Sequence, residues 1–126
     1  MAEIRLINNL KGILYYIDTP LLNFEIMNRE LIKADELSEG KFYPWELARC
    51  GISYGSINAF FKRRTMQENC MFYREHLRAI GLEEFNFDKY IMKNNGNNHL
   101  DNFWIRFDDF GARNFEEICN QDYPVI

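Results

Sequence analysis

The hydrophobic residues of this chain change their spacing part-way along it, and this change restricts the possible fold more than any other feature. Early in the chain, Leu22, Phe24 and Ile26 alternate with Asn23 and Glu25, which is the two-residue period of a strand with one buried face. Later, five residues form a stripe with the spacing of a helix: Phe72, Tyr73, His76, Leu77 and Ile80. Strand patterns that precede helix patterns predict an α+β domain.

The N-terminal part is predicted to form a small antiparallel sheet. Residues 12–18 (GILYYID) and 21–28 (LLNFEIMN) are rich in β-branched and aromatic residues, and Thr19-Pro20 between them is typical of a turn. These two runs therefore predict a β-hairpin. Residues 30–37 (ELIKADEL) could form a third strand or a short helix, and we predict the strand.

Capping residues predict helices in the middle of the chain. One helical turn is expected after Pro44. Ser56 is the expected N-cap of a helix that ends near Arg63, because its hydroxyl can accept a hydrogen bond from a free backbone amide. Asn69 is the expected N-cap of the helix with the apolar stripe, and Gly81 is its expected left-handed end.

The C-terminal third is predicted to contain one strand between short helices. Residues 88–93 continue as a third helical piece, and residues 94–99 (NNGNNH) form a polar loop. Residues 102–110 (NFWIRFDDF) predict a strand, and Asn114 is placed to cap a last short helix. On this strand one face carries Phe103, Ile105 and Phe107, and the other carries Trp104 and Arg106.

Size and composition predict a single domain over residues 1–126. A mass of 15.2 kDa fits one core, and 47% hydrophobic with 16% aromatic residues supplies the apolar area to fill it. Phe42 and Trp45 are expected to cover this core. The predicted architecture is an N-terminal antiparallel hairpin or small sheet, two to three central helices, and a C-terminal strand with a short helix.

The cysteines and the absence of a long apolar run predict a cytoplasmic protein. Three cysteines are an odd number without close pairing, which is not the pattern of a disulfide framework. We expect all three, Cys50, Cys70 and Cys119, to be small core residues. No secretory signal is visible, and no run approaches the ~20 apolar residues that cross a bilayer.

No motif predicts catalysis, a metal site or a cofactor. Zinc sites are marked by close Cys or His pairs, which this sequence lacks. A nucleophilic site would require the fold to bring together Cys70, His76, His99 and Asp101. The adjacent carboxylates of Asp108–Asp109 point to opposite faces of a strand, so they cannot easily share a ligand. We therefore expect no enzyme activity, no metal and no cofactor.

The charge is distributed unevenly. The net charge of -4 argues against general binding to nucleic acid, because affinity for a polyanion comes largely from Lys and Arg. Residues 56–80 nevertheless contain five cations and two anions, which is +3 for the segment and -7 for the rest. One basic face on an acidic body is therefore expected.

The basic face is the candidate binding site. Lys62, Arg63 and Arg64 end one helix, where the helix dipole favours cations, but three in a row exceed that need. If the next helix folds back as a hairpin, Arg74 and Arg78 extend the patch. The predicted partner-binding residues are Lys62, Arg63, Arg64, Arg74, Arg78 and an exposed Trp104. A merely solvated face, an acidic protein partner and a nucleic acid all remain open.

Three short stretches of the sequence occur in the same order as the motifs of a known family pattern. They are FFKRRTMQ at 60–67, LRAIGLEEF at 77–85 and LDNFWIRF at 100–107. Together with the paired N-terminal strands, they resemble a family of small domains found in front of HipA-like serine/threonine kinases in gut Firmicutes. The resemblance spans about residues 14–107, and Gln67 stands where the family pattern has proline.

The resemblance implies a non-enzymatic accessory module that binds and regulates a macromolecular partner in a toxin–antitoxin or mobile-element setting. No catalytic residue carries over, because the domain in front of the kinase is not itself the kinase. The expected partner is a protein, with nucleic acid as the alternative and no membrane. Two other functions remain open: a phage or mobile-element inhibitor of a host defence nuclease, of the anti-CRISPR kind, and a nucleic-acid-binding protein.

Overall fold

The computed structural model describes residues 4–38, 43–65, 70–98, 101–108 and 111–120, and it confirms the α+β class. Its four strands form one antiparallel sheet in the order β3-β2-β1-β4. The strands are β1 (Leu10–Tyr16), β2 (Thr19–Met27), β3 (Glu30–Glu36) and β4 (Phe103–Arg106). The hairpin, the third strand and the C-terminal strand are therefore all present.

The described residues contain five helices, four of them between β3 and β4. The helices are α1 (Trp45–Cys50), α2 (Tyr54–Arg63), α3 (Tyr73–Ala79), α4 (Phe87–Lys93) and α5 (Phe115–Cys119). The predicted central helices correspond to α2, α3 and α4, and the helical turn expected after Pro44 is the short helix α1. Within the described parts of the chain, no helix is long and apolar enough to span a membrane.

The turn of the hairpin lies two residues earlier than predicted. Ile17 and Asp18 form it, and Thr19 and Pro20 belong to β2. Pro20 is opposite Tyr15, next to an irregularity in the register, and proline is tolerated at such a position because its missing amide breaks no regular ladder bond. Ile17 has a positive φ of 57°. Its backbone amide donates to the Asn102 carbonyl, which fixes this turn against the chain before β4.

The main core lies between one face of the sheet and the helices. Phe24 of β2 and Ile105 of β4 are almost completely buried there. Phe60 and Phe61 of α2 fill the same core with their rings in edge contact, 5.0 Å between centroids. The doubled aromatic of the sequence therefore has a structural role, since burying each such ring contributes on the order of 1.5–3 kcal/mol.

Helix α5 covers part of the opposite face of the sheet. Its Ile118 packs with Trp104 and Ala112 in a small separate cluster. As predicted, Asn114 is the N-cap, and its side chain accepts a hydrogen bond from the Glu117 amide at 2.9 Å. The predicted alternation along β4 is also correct, because Ile105 belongs to the main core and Trp104 to this second cluster.

Two of the predicted helix starts are different in the structure. Ser53, not Ser56, is the N-cap of α2; Ser56 is the third helical residue and completes a reciprocal capping box with Ser53. Helix α3 begins at Tyr73 after Phe72, and the predicted cap Asn69 lies outside the described residues. Gly81 has a φ of 87°, which confirms the left-handed end of this helix.

The polar loop after α4 is buried. Asn95 is 1% exposed and donates from its side-chain amide to the Ile105 carbonyl at 3.1 Å, while Asn97 donates to the Phe103 carbonyl at 3.0 Å. Gly96 between them has a φ of 63°. The asparagines thus supply hydrogen-bond donors to backbone carbonyls beside the core.

Several residues expected in the core are exposed. Cys50, Cys70 and Cys119 are all exposed free thiols, so their prediction as core residues was wrong. Trp45 is 64% exposed because it begins α1 on the side away from the core, and its ring lies 5.4 Å from the Arg49 guanidinium. Phe42, predicted to cover the core with it, lies outside the described residues.

Candidate partner-binding surface

Arg64 is not on the surface, although it was predicted as a partner-binding residue. It ends α2 and is 6% exposed. Its guanidinium donates to the carbonyls of Gly96 at 3.0 Å and Phe103 at 2.9 Å and pairs with the Asp101 carboxylate. The group also lies over the Phe60 ring at 4.5 Å. Arg64 therefore links α2 to the asparagine loop and β4, and only 2% of its side chain is accessible to a partner.

Arg63 is engaged within the protein as well. Its guanidinium pairs in a fork with both carboxylate oxygens of Glu46 on α1, and Glu46 is 6% exposed. Burial raises the pKa of Glu46, but the hydrogen bonds from Arg63 outweigh that effect and hold the pKa below its ordinary value. The same hydrogen bond raises the pKa of Arg63. Since half of its side chain stays exposed, Arg63 joins α1 to α2 and contributes little free charge.

Trp104 is buried, which contradicts its prediction as an exposed aromatic anchor. It is 0% exposed, and its indole N–H donates to the Ile17 carbonyl at the hairpin turn. Its ring stacks on Tyr15 with 4.8 Å between centroids. The strand pattern placed Trp104 on the correct face, but that face is covered here by α5, a tertiary contact that the pattern does not contain.

The other predicted cations are exposed. Lys62, Arg74 and Arg78 have no salt-bridge or hydrogen-bond partner for their side chains among the described residues. Arg74 and Arg78 are one turn apart on α3 and line one groove, as their spacing predicted. Lys62 does not line that groove. The predicted hairpin of α2 and α3 is not a close-packed pair, since the main helix–helix contact of α2 is with α1. The single continuous basic face is therefore not formed.

The groove beside Arg74 and Arg78 has a volume of about 460 Å³. Its lining also includes the apolar residues Leu77 and Leu82 and the acidic residues Glu83 and Glu84. A second groove of about 710 Å³ adjoins it on the α4 side. The groove is thus lined by residues of both charges, so it differs from the uniformly basic patch expected from the sequence.

Met71 and Phe72 form an exposed apolar pair at the start of α3, which the helical spacing did not predict. They are 74% and 55% exposed. Phe72 has φ 66° and ψ 16°, the left-handed region, which is rare for a bulky side chain and costs of order 1–3 kcal/mol. Its carbonyl accepts the His76 amide at 2.9 Å, so this conformation starts the helix. We call Met71, Phe72, Arg74 and Arg78 the α3 surface; the anion Glu75 is exposed on the same side.

The helical spacing gave the opposite expectation for Phe72. It assigned Phe72 to the buried stripe, whereas Tyr73, His76, Leu77 and Ile80 alone are buried. The stripe requires the helix to begin before residue 72, but α3 begins at Tyr73. The spacing pattern assumes a helical φ at Phe72, which would point its side chain in another direction. Its exposure therefore follows from the left-handed backbone conformation and not from the spacing.

The residues considered for catalysis do not share a described site. His76 is buried, with its Nε2 2.7 Å from the Tyr90 hydroxyl, and Cys70 is exposed before α3. Asp101 pairs with Arg64 and accepts the Phe103 amide at 3.0 Å. His99 lies outside the described residues. In the described ranges, no three His, Cys, Asp or Glu residues are grouped as a metal site would require.

Comparison with protein-family models, curated proteins and solved structures gives no match for this chain.

Proposed function

We propose that this chain is a non-enzymatic module that binds and regulates a protein partner through the α3 surface. The observation that carries the proposal is Phe72, an aromatic side chain that is 55% exposed and held in a strained left-handed conformation. Strain of this kind persists only where the surrounding structure enforces it, and it is concentrated at functional positions. Phenylalanine is also among the residue types that are enriched at protein–protein interfaces.

The apolar part of the α3 surface favours a protein partner. Met71 and Phe72 are neighbours, and both leave more than half of their accessible area in water. A partner with a pocket for the Phe72 ring would remove this area from water, which is the geometry of a typical hot spot. Methionine beside it adapts to an irregular surface.

The charges of the α3 surface favour carboxylates on the partner. Arg74 and Arg78 form no ion pair or hydrogen bond in the part of the chain that is described, although Glu75, Glu83 and Glu84 lie nearby, so their guanidinium groups remain available for a bidentate pair with Asp or Glu. Nucleic acid is disfavoured by the loss of the continuous basic face. Arg64 is buried and Arg63 is neutralised by Glu46, which leaves Lys62 alone at the end of α2.

We infer the biological context of this binding from the resemblance to the domains in front of HipA-like kinases. A regulatory module of a toxin–antitoxin system or another mobile element would act by binding, and the kinase is the first partner to test. An inhibitor of a host defence nuclease would use the same type of surface and would differ in the partner it captures. A neighbouring kinase gene favours the first role, and neighbouring phage structural genes favour the second.

Affinity capture with quantitative mass spectrometry tests the proposal. The variants are Phe72→Gly and the double variant Arg74→Glu/Arg78→Glu; the matched controls are Trp45→Ala, an exposed aromatic elsewhere, and Lys62→Glu, an exposed cation elsewhere. We expect one protein that the wild type and both controls retain and both variants lose, before and after nuclease treatment. The purified pair must then bind directly. Capture that disappears after nuclease treatment, or that all variants retain, would reject the α3 surface as a protein-binding site.

A further inference from the structure

Strand β3 is an edge strand whose outer backbone groups have no partner strand within the described residues. The Leu37 amide donates to the Leu21 carbonyl at 2.9 Å, so this pair exchanges hydrogen bonds. Because hydrogen-bonded pairs alternate along an antiparallel ladder, Lys33 and Asp35 also direct their backbone groups to β2. The amides and carbonyls of Ala34 and Glu36 therefore point outward.

Both faces of β3 are open as well. Ala34 and Glu36 on one face and Lys33 and Asp35 on the other are all exposed. Ile32 is 52% exposed at the irregularity in the register with β2. Among the described residues, the Tyr43 hydroxyl donates to the Glu36 carboxylate at 3.0 Å and no helix makes a major contact with β3, so another strand can approach its edge without displacing a described helix or strand.

We propose that β3 pairs with β3 of a second copy of this chain, antiparallel and with the two-fold axis at Ala34, to form a continuous eight-stranded sheet. The charge pattern selects this partner and this register. An axis at Lys33 would place two lysines opposite each other, and an axis at Asp35 would place two aspartates opposite each other. With the axis at Ala34, Lys33 of each copy is opposite Asp35 of the other, which is a favourable cross-strand pair at two places.

The outward backbone groups agree with the same axis. An axis at Ala34 pairs Ala34 with Ala34, whose amide and carbonyl point outward, and places the outward-pointing Glu36 opposite Ile32 at the irregularity. Lys33 and Asp35 already lie 3.7 Å apart within one copy, so the two copies would form four charges of alternating sign on one face. On the other face, the small Ala34 side chains allow the two strands to approach closely.

The expected dimer is weak. The paired stretch runs from Ile32 to Glu36, and the irregularity beside Ile32 ends regular pairing there. Stable interfaces use about 20–30 residues from each side. Dimerisation should therefore depend strongly on protein concentration. This proposal does not depend on the α3 surface, which lies on another element, so either proposal can fail alone.

Sedimentation equilibrium over a concentration series tests the dimer. We expect the wild type to dimerise, and we expect Lys33→Asp and Asp35→Lys each to weaken the dimerisation constant about tenfold, because each creates two like-charge pairs. The swapped variant Lys33→Asp/Asp35→Lys should regain dimerisation, since its charges are complementary again. Ala34→Pro removes an outward amide and should abolish dimerisation, and Lys89→Asp on α4 is the control.

The swapped variant makes the test independent of folding defects, because a merely damaged strand would not recover when a second charge is reversed. Circular dichroism of Ala34→Pro checks that its fold is retained. A wild type that remains monomeric at millimolar concentration overturns the proposal. A dimer that persists in Ala34→Pro with the fold intact, or that the swapped variant fails to restore, overturns the assignment to β3.

Discussion

Replacing Arg64 by alanine should destabilise the fold strongly and should affect partner binding only through that loss. The variant removes donors from the carbonyls of Gly96 and Phe103, which lie beside the core, and from the Asp101 carboxylate. Asp101 keeps 32% of its side chain exposed, so water can replace its lost partner. The Phe103 carbonyl keeps the Asn97 side-chain amide as a donor at 3.0 Å, so the carbonyl of buried Gly96 is the group that loses its donor, and an unsatisfied buried group costs about 1–3 kcal/mol.

Together with the lost contact between the guanidinium and the Phe60 ring, which contributes about 0.5–2 kcal/mol, the expected loss is about 2–5 kcal/mol. That is a large fraction of the 5–15 kcal/mol that stabilises a typical domain. Urea unfolding followed by tryptophan fluorescence measures it, because Trp104 is buried and changes its environment on unfolding while Trp45 is already exposed.

The neighbouring exposed cation provides the control. Lys62→Ala should change the free energy of unfolding by no more than about 0.5 kcal/mol. Arg64→Lys keeps the charge but not the planar fork, so it should be intermediate. If the free energy of unfolding of Arg64→Ala stays within about 1 kcal/mol of the wild-type value and the variant no longer binds the partner, the structural role of Arg64 is refuted. Arg64 would then contact the partner, as the sequence predicted.

Two further predictions concern the interior. Because the pKa of Glu46 is lowered in the folded state, its pairing with Arg63 stabilises the fold above the ordinary glutamate pKa of about 4.3, and this stabilisation is lost as the pH falls through the folded pKa. The difference in unfolding free energy between the wild type and Glu46→Gln, measured by urea titration, should therefore shrink below about pH 4. A difference that stays constant with pH would contradict this prediction. Gly96→Ala should lower the free energy of unfolding by more than about 2 kcal/mol in the same assay, because Gly96 has a positive φ and a Cβ atom would lie 2.7 Å from Ile105 Cγ1 and 2.9 Å from Phe61 Cε1. The control is Gly51→Ala, since Gly51 also has a positive φ but its Cβ would meet open space. An equal loss of stability in both variants would contradict the steric argument.

The elements that depend on local pattern were predictable from the sequence. The alternation in β2 and β4 follows from the two-residue period, and the start of α5 follows from the side chain of Asn114. Gly81 was predictable because a left-handed helix end selects glycine. In these cases the physical cause lies within a few residues of the position it determines.

The site residues were less predictable because their environments come from distant parts of the chain. Arg64 is buried by groups 32 to 39 residues away, and Trp104 by a hairpin turn 87 residues away. A run of three cations carries no information about which member finds such partners. Phe72 was missed for a different reason: one left-handed backbone conformation removes it from the helical stripe, and aromatic residues rarely adopt that conformation.

Phe72→Gly gives the most direct test of binding through the α3 surface, because it separates binding from folding. Glycine accepts a φ of 66° without strain, so we expect the free energy of unfolding to stay within about 0.5 kcal/mol of the wild type or to rise. Calorimetry with the purified partner should show a loss of at least about 2 kcal/mol of binding free energy, roughly 30-fold in the dissociation constant. Unchanged affinity in a stably folded Phe72→Gly protein would contradict the proposed function of this surface.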